Sequence, residues 1–435
     1  MNNQDLLKRS LAAVWHPCTQ MKQHETLPLV PISQGKGAWL YDFDGKRYLD
    51  AVSSWWVNLF GHGNPRINAA LKDQLDKLEH VMLAGFTHQP VVELSERLAR
   101  LSGLGHAFYG SDGASATEIA LKMSFHYWRN NGLPAKTRFV SLENGYHGET
   151  VGALSVTDVA LFKDTYAPLL QSSIQVPTPD WRNAEPGESG HDFASRRAQD
   201  LRRHLEKHHG ETAAFIIEPL VQGAAGMAMH HPEYLRQARA ICDEFGVHLI
   251  ADEIAVGFGR TGTMFAHEQA GIKPDFLCLS KGISGGYLPL AAVLTSDEVY
   301  KAFYHDETAK GFLHSHSYTG NALACRAALA VLDIFEEDGV IEANRLKTAE
   351  FNRIAEPLRQ HARVRNFRNA GMIWAFEVED GKPGFARRCF EEGLKREVLL
   401  RPIGNTVYFM PPYVVSAEEM NHLAAATLEI LECRA

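Results

Sequence analysis

Apolar residues fall in short uninterrupted blocks through the middle of this chain, and segments with helical spacing separate the blocks. The clearest blocks are Ala107-Phe108-Tyr109, Phe139-Val140-Ser141, Ala214-Phe215-Ile216-Ile217, Val247 to Ala251 and Phe276 to Leu279. Runs of this length bounded by turn residues read as strands buried on both faces, the pattern of a parallel sheet. Ala116 to Trp128 and Pro232 to Phe245 carry the helical pattern between them. Strand and helix in alternation from about residue 65 to 330 predict an α/β fold, a mostly parallel sheet with helices on both faces.

The ends of the chain follow other rules. Trp39-Leu40-Tyr41-Asp42 and Lys46-Arg47-Tyr48-Leu49 flank Asp44-Gly45, a hairpin signal, so the first sixty residues read as a lead-in with its own small sheet. Pro177 to His191 is polar and rich in Pro and Gly and reads as an exposed loop. Beyond about residue 330 the order becomes helix, strand, helix, ending in Val407-Tyr408-Phe409-Met410 before Pro411-Pro412. The expected organisation is an N-terminal segment, 1–60, packing with the small domain; a large domain, 61–330; and a C-terminal small domain, 331–435. A chain of 435 residues exceeds one ordinary core, which agrees with that division.

Composition narrows the classes. A hydrophobic share of 45% and a charged share of 22% are ordinary for a soluble globular protein, and a net charge of −8 argues against a nucleic-acid surface. Six widely spaced cysteines without a C-x-x-C pair fit free thiols in a reducing compartment better than a disulfide framework or zinc site. With no signal-peptide pattern and no run near eighteen apolar residues, the expected address is cytoplasmic, with neither a membrane nor a nucleic acid as partner.

Two strand ends carry the chemistry. One block ends in Asp252-Glu253; the other, Phe276-Leu277-Cys278-Leu279-Ser280, ends in Lys281 and a small, flexible stretch from Gly282 to Gly286. At the ends of parallel strands, acid and lysine share the sheet edge where open α/β folds bind ligands. A lysine that forms a Schiff base and an acid that holds a pyridinium nitrogen are the pair pyridoxal phosphate requires. Desolvation there would lower the lysine pKa and make the amine nucleophilic. Alone, Lys281 would be a surface lysine and Asp252 an N-cap, but the glycine-rich run Gly257-Phe258-Gly259-Arg260-Thr261-Gly262 after Asp252 is hard to explain by capping.

Gly110-Ser111-Asp112-Gly113-Ala114-Ser115 follows a strand and opens a helix. Ser115 and Glu118 have capping-box spacing, which predicts a helix start near Ala116 with free N–H groups suited to phosphate. An ordinary tight turn has the same form, and no Gly-Lys-Ser/Thr follows as in a P-loop. Tyr146, in Asn144-Gly145-Tyr146-His147-Gly148, is either a stacking platform for a flat ring or a surface tyrosine. His314-x-His316 hints at metal, but no third ligand sits at suitable spacing, so no metal is expected.

In this order the motifs resemble the class III aminotransferases of PLP fold type I, from about Trp15 to Pro412. The resemblance implies a large domain with a mostly parallel sheet, plus a smaller α+β domain from the N- and C-terminal segments. Pyridoxal 5'-phosphate is the implied cofactor, with Lys281 its Schiff-base lysine and 1,3-proton carrier and Asp252 on the pyridine nitrogen. Tyr146 and Ile254 would cover the two ring faces, and Gly113 and Ala114 would donate N–H groups to the phosphate. The segment His314 to Asn321 matches one that reaches the phosphate across a homodimer interface, with His316 and Ser317 its cofactor contacts, the latter by its hydroxyl.

Substrate choice rests on further resemblance. Members that use glutamate carry an arginine shortly before Pro-Pro, where this chain has Tyr408, so the usual α-carboxylate clamp is missing. Arg401 lies seven residues earlier. Ser53-Ser54-Trp55-Trp56 and Trp15-His16-Pro17-Cys18-Thr19 are similar to segments of the aminotransferases of biotin synthesis, whose amino donor is S-adenosylmethionine. A ping-pong conversion of 8-amino-7-oxononanoate to 7,8-diaminononanoate is thereby implied. Arg401 would bind the acceptor's distal carboxylate, Trp55 would wall its apolar chain, and Ser315 would lie near the substrate tail; a cationic sulfonium donor suits an aromatic wall better than an arginine clamp. Cys18, Tyr146, Lys281 and Tyr408 complete the implied substrate set, and at least one of Trp55 and Trp56 is expected in the core. Cys18 replaces a tyrosine and Glu149 an aspartate found in some members. An ω-aminotransferase acting on lysine, a diamine or another long-chain amine is the alternative, followed by a PLP-dependent aminomutase and a PLP-binding regulator.

Overall fold

The computed structural model describes residues 2–27 and 29–433. Two compact units emerge: one comprises residues 1–65, 346–367 and 374–435, the other 66–345 and 368–373.

The larger unit is built on a seven-stranded sheet. Its order is His106–Gly110, Ala291–Thr295, Phe276–Leu279, His248–Asp252, Thr212–Ile217, Arg138–Leu142, Ile174–Val176. Ala291–Thr295 runs antiparallel to both neighbours; the five strands from Phe276–Leu279 to Ile174–Val176 pair in parallel. Alternate side chains serve opposite faces, and both faces are buried. Phe215, Ile217 and Leu249 pack with Leu201, Leu205, Leu235 and Ile241 of the helices Gly190–His208 and Pro232–Phe245. Ala214, Ile216 and Ile250 pack with Ile119, Ala120 and Met123 of the helix Gly113–Asn130. Two-sided burial is the reason the strands read as continuous apolar runs.

Three local expectations are corrected. The helix expected near Ala116 starts at Gly113, because Asp112 is the N-cap: its Oδ1 accepts from Ser115 N at 2.8 Å and Ser115 Oγ at 2.7 Å. Glu118 closes no capping box; its Oε1 accepts from Thr150 Oγ1 and Gly152 N. The stretch after Lys281 is a 3₁₀ turn, Lys281–Ser284, with Gly282, Ile283 and Ser284 buried. The 177–191 loop contains a short 3₁₀ turn, Trp181–Asn183, and yields to a helix at Gly190, capped by Ser189.

In the smaller unit, Ile32–Lys36, Trp39–Asp42 and Arg47–Asp50 form an antiparallel sheet, joined in parallel by Val398–Leu399. Ile373–Val378 pairs antiparallel with Thr406–Phe409, placing Ala375 opposite Tyr408. Among the described residues no helix is long and apolar enough to cross a membrane. All six cysteines are free thiols, with Cys18 and Cys433 exposed and the rest buried.

Candidate active site

Asp252 and Lys281 stand at the C-terminal ends of adjacent parallel strands, with Asp252 in register with Cys278. The carboxyl of Asp252 is buried and fixed by two donors: Ile254 N reaches Oδ1 at 3.1 Å, and His147 Nδ1 reaches Oδ2 at 2.7 Å. His147 is itself 2% exposed, and its backbone is tied down at N by Thr157 Oγ1 and at O by Thr117 Oγ1. A ring held this way presents Nδ1–H to the carboxylate.

Lys281 adopts a left-handed φ of 43° as it enters its turn. Desolvation of the ammonium group dominates and lowers its pKa below the ordinary lysine value, opposed by the charges of Asp252 and Glu218. Glu218 follows the strand Thr212–Ile217 and is 5% exposed. Its carboxylate accepts from Tyr146 N and Gly223 N, each at 2.9 Å. Burial pushes its pKa up to about 7; His147 and the two amides oppose that shift, and the charge of Asp252 adds to it.

The turn at Gly113 closes against this cluster. A Cβ on Gly113 would stand 2.9 Å from Ile254 Cγ2, and one on Gly148 would stand 2.7 Å from Ala114 Cβ. Gly148 has φ +121°, so both its backbone and its surroundings call for glycine. The Gly113-Ala114 turn thus meets Ile254 on one side and Gly148 on the other. At the first turn of a helix, the N–H groups of Gly113 and Ala114 have no intrahelical acceptor and face the positive end of the dipole. Tyr146 donates its hydroxyl to Glu149 Oε1 at 2.8 Å, and its ring meets Phe162 at 5.5 Å. Beside the turn, Ser111 Oγ lies 3.1 Å from His316 Nδ1, and His316 Nε2 lies 3.2 Å from His314 Nε2. Ser315 and Ser317 are exposed on the same loop, where the Ser317 carbonyl meets His80 Nε2 at 2.9 Å.

The smaller unit gathers another set. The Arg401 guanidinium carbon lies 4.6 Å from the centroid of the Trp55 ring, a cation–π stack. Trp55 is 44% exposed, whereas Trp56 is 6% exposed and its indole N–H meets the Tyr408 hydroxyl at 3.2 Å. One tryptophan is core and the other surface. Tyr408 lies behind Trp56, 3% exposed, and burial pushes its phenol up to about 12. Cys18 is exposed, at a left-handed φ of 50°.

These groups fit pyridoxal 5'-phosphate: a desolvated amine, a buried carboxylate oriented for a ring nitrogen, and a glycine turn whose N–H groups suit a dianion. The matching family is Aminotransferase class-III, over residues 20–431. The chain belongs to the class III aminotransferases. It is 49% identical to the adenosylmethionine-8-amino-7-oxononanoate aminotransferase of Helicobacter pylori, covering 99% of each chain. Among solved structures, the enzyme of that name from Methanocaldococcus jannaschii has a TM-score of 0.92 at 37% identity, with 99% of each chain covered. An omega transaminase from Pseudomonas jessenii in complex with PMP has a TM-score of 0.93 at 29% identity, covering 98% of this chain and 97% of that one. This aminotransferase has PLP fold type I, and its cofactor is pyridoxal 5'-phosphate.

His147 and Glu218 went unread as site residues in the sequence. Glu218 carries the same signal as Asp252, an acid just past a buried apolar strand.

Proposed function

We propose that this aminotransferase moves an amino group from S-adenosylmethionine to 8-amino-7-oxononanoate, giving 7,8-diaminononanoate, a step of biotin synthesis. The observation that carries this reading is the 49% identity, over 99% of both chains, to a relative of that name. The Trp55–Arg401 stack supports it: a guanidinium lying on an aromatic ring keeps its N–H edge for a carboxylate, and the ring offers a wall to an apolar chain or a sulfonium.

Bound in the larger unit, pyridoxal phosphate supplies an electron sink for the bond pair released when a proton leaves the amine-bearing carbon. Lys281 provides the amine that holds the cofactor and, with its lowered pKa, a base whose Nζ takes up and returns that proton. Asp252 would hold the pyridine nitrogen, and His147 and Ile254 N keep its carboxylate from turning. Gly113 and Ala114 would donate N–H groups to the phosphate, while Tyr146 and Ile254 would cover the ring. In the smaller unit, Arg401 grips the acceptor's distal carboxylate and Trp55 its methylene chain. The enzyme acts as a cytoplasmic homodimer, in which Ser317 would offer its hydroxyl to the phosphate held by the partner subunit, with His316 beside it.

A half-reaction tests the reading. Holoenzyme mixed with S-adenosylmethionine alone loses the visible band of its bound cofactor, and adding 8-amino-7-oxononanoate restores it. An unchanged band with S-adenosylmethionine, but bleaching by lysine or a diamine, would assign the protein to the ω-aminotransferases instead.

A further inference from the structure

Ser53, Ser54, Trp55 and Trp56 hold φ values of 51°, 47°, 75° and 71°, four left-handed residues in succession without a glycine. Backbone bonds close the turn, Trp56 N to Val52 O at 2.8 Å and Val57 N to Ser53 O at 3.0 Å. In this conformation each Cβ crowds the carbonyl that follows, so such a run persists only where its surroundings over-determine it.

Asp50 supplies much of that constraint. It is fully buried; its Oδ1 accepts from Ser54 N at 2.9 Å, and its Oδ2 accepts from Ser54 Oγ at 2.7 Å and His62 Nε2 at 3.0 Å. His62 is fixed in turn. Asn58 Nδ2 lies 3.1 Å from its Nδ1, and its backbone bridges Gly37 in both directions, at 2.7 and 3.0 Å. Gly35 leaves it room, since a Cβ there would stand 2.6 Å from His62 Cβ. On the other side Ser53 Oγ donates to Met410 O at 2.7 Å. The product of this left-handed turn is the split between the tryptophans, Trp56 turned to Tyr408 and Trp55 turned out under Arg401. A right-handed turn would send both side chains elsewhere.

We infer that Asp50 and His62 form a positioning clamp: they hold the strained turn that sets Trp55, and through its stack Arg401, in the place where the acceptor's chain and carboxylate bind. The inference rests on the proposed role of Trp55 and Arg401 and adds two specificity-positioning residues that do not touch substrate. It also gives a task to a fully buried acid whose carboxylate accepts from Ser54 and His62: the task is conformational.

The test uses holoenzyme carrying Asp50→Asn, Ser54→Ala, the pair Asp50→Asn with Ser54→Gly, and Trp55→Ala. Acceptor KM, kcat, cofactor content from the visible band, and thermal midpoint are measured for each. With Asp50→Asn the acceptor KM rises about tenfold while kcat stays within about twofold and cofactor content holds, since the turn moves but the cofactor's residues do not. Adding Ser54→Gly recovers most of that loss, because glycine takes positive φ without the steric cost. An unchanged KM with Asp50→Asn overturns the clamp, as does a joint fall of KM performance, kcat, cofactor content and midpoint that Ser54→Gly does not rescue. Should Asp50→Asn not fold, Ser54→Ala removes only the 2.7 Å hydroxyl bond and must show the same KM-against-kcat split in smaller degree; its absence refutes the clamp equally. Trp55→Ala separates the layers. If Trp55→Ala raises KM and the Asp50 and Ser54 variants do not, the clamp alone fails; if Trp55→Ala changes nothing, or wild type ignores the acceptor, the underlying functional reading fails first.

Discussion

Replacing Glu218 by glutamine should remove a pH dependence of stability whose direction the structure dictates. The carboxyl is 5% exposed, and its pKa rises from 4.5 to about 7 on folding. Between those values the folded chain keeps a proton that the unfolded chain has released. The group therefore favours folding fully below pH 4.5, and that stabilisation is lost as pH rises through about 7. At about 1.4 kcal/mol per pH unit, the gap amounts to about 3 kcal/mol. Glutamine keeps the volume and one acceptor but turns an NH₂ toward either Tyr146 N–H or Gly223 N–H, a pH-independent loss of about 1–3 kcal/mol. Urea unfolding of wild-type and Glu218→Gln apoenzyme at pH 5, 6, 7 and 8 should show a wild-type advantage that shrinks steadily and is smallest at pH 8. A constant gap, or one that widens with pH, would refute the assignment of a desolvated, proton-holding carboxyl.

Other outcomes are as specific. Lys281→Ala should abolish turnover while retaining part of the cofactor through Asp252 and the Gly113 turn, measured by absorbance after gel filtration; full activity would overturn its role. Arg401→Met should cost the acceptor about 1.5–3 kcal/mol of binding, read as a KM rise of about 10- to 100-fold, with a smaller effect on the donor half-reaction; equal losses in both halves would count against a carboxylate contact. Gly148→Ala combines a strained φ with a Cβ 2.7 Å from Ala114 Cβ, so it should lower cofactor affinity and cost roughly 2–4 kcal/mol of stability, checked by cofactor titration and thermal unfolding.

How much was legible depended on range. Strands such as His248–Asp252 and Phe276–Leu279 were readable because two-sided burial leaves an unbroken apolar run, and their acidic and basic ends marked the sheet edge directly, whereas Glu218, placed the same way after Thr212–Ile217, was passed over. The start of the Gly113 helix was misplaced because two capping patterns overlap; Asp112, already in extended backbone, captures Ser115 N before Ser115 can act as a cap. His147 could not be read, since its value lies in a 2.7 Å contact to a carboxylate 105 positions away. The left-handed turn at Ser53–Trp56 left no trace either: nothing in Ser-Ser-Trp-Trp signals positive φ, and its cause lies in Asp50, His62 and Met410. Similarly, which tryptophan would be core was undecided by composition and was settled by the turn's hand.

The edge position of His106–Gly110 has a consequence for assembly during synthesis. This strand carries the glycine turn at its end, yet its sheet neighbour, Ala291–Thr295, is translated about 185 residues later. The strands bearing Glu218, Asp252 and Lys281 can already pair with one another as the chain emerges, and the helix that follows the anion cradle can dock on them, while the edge strand itself still lacks its partner. The phosphate side of the site thus reaches its final register only after the strands of the ring and amine side are in place.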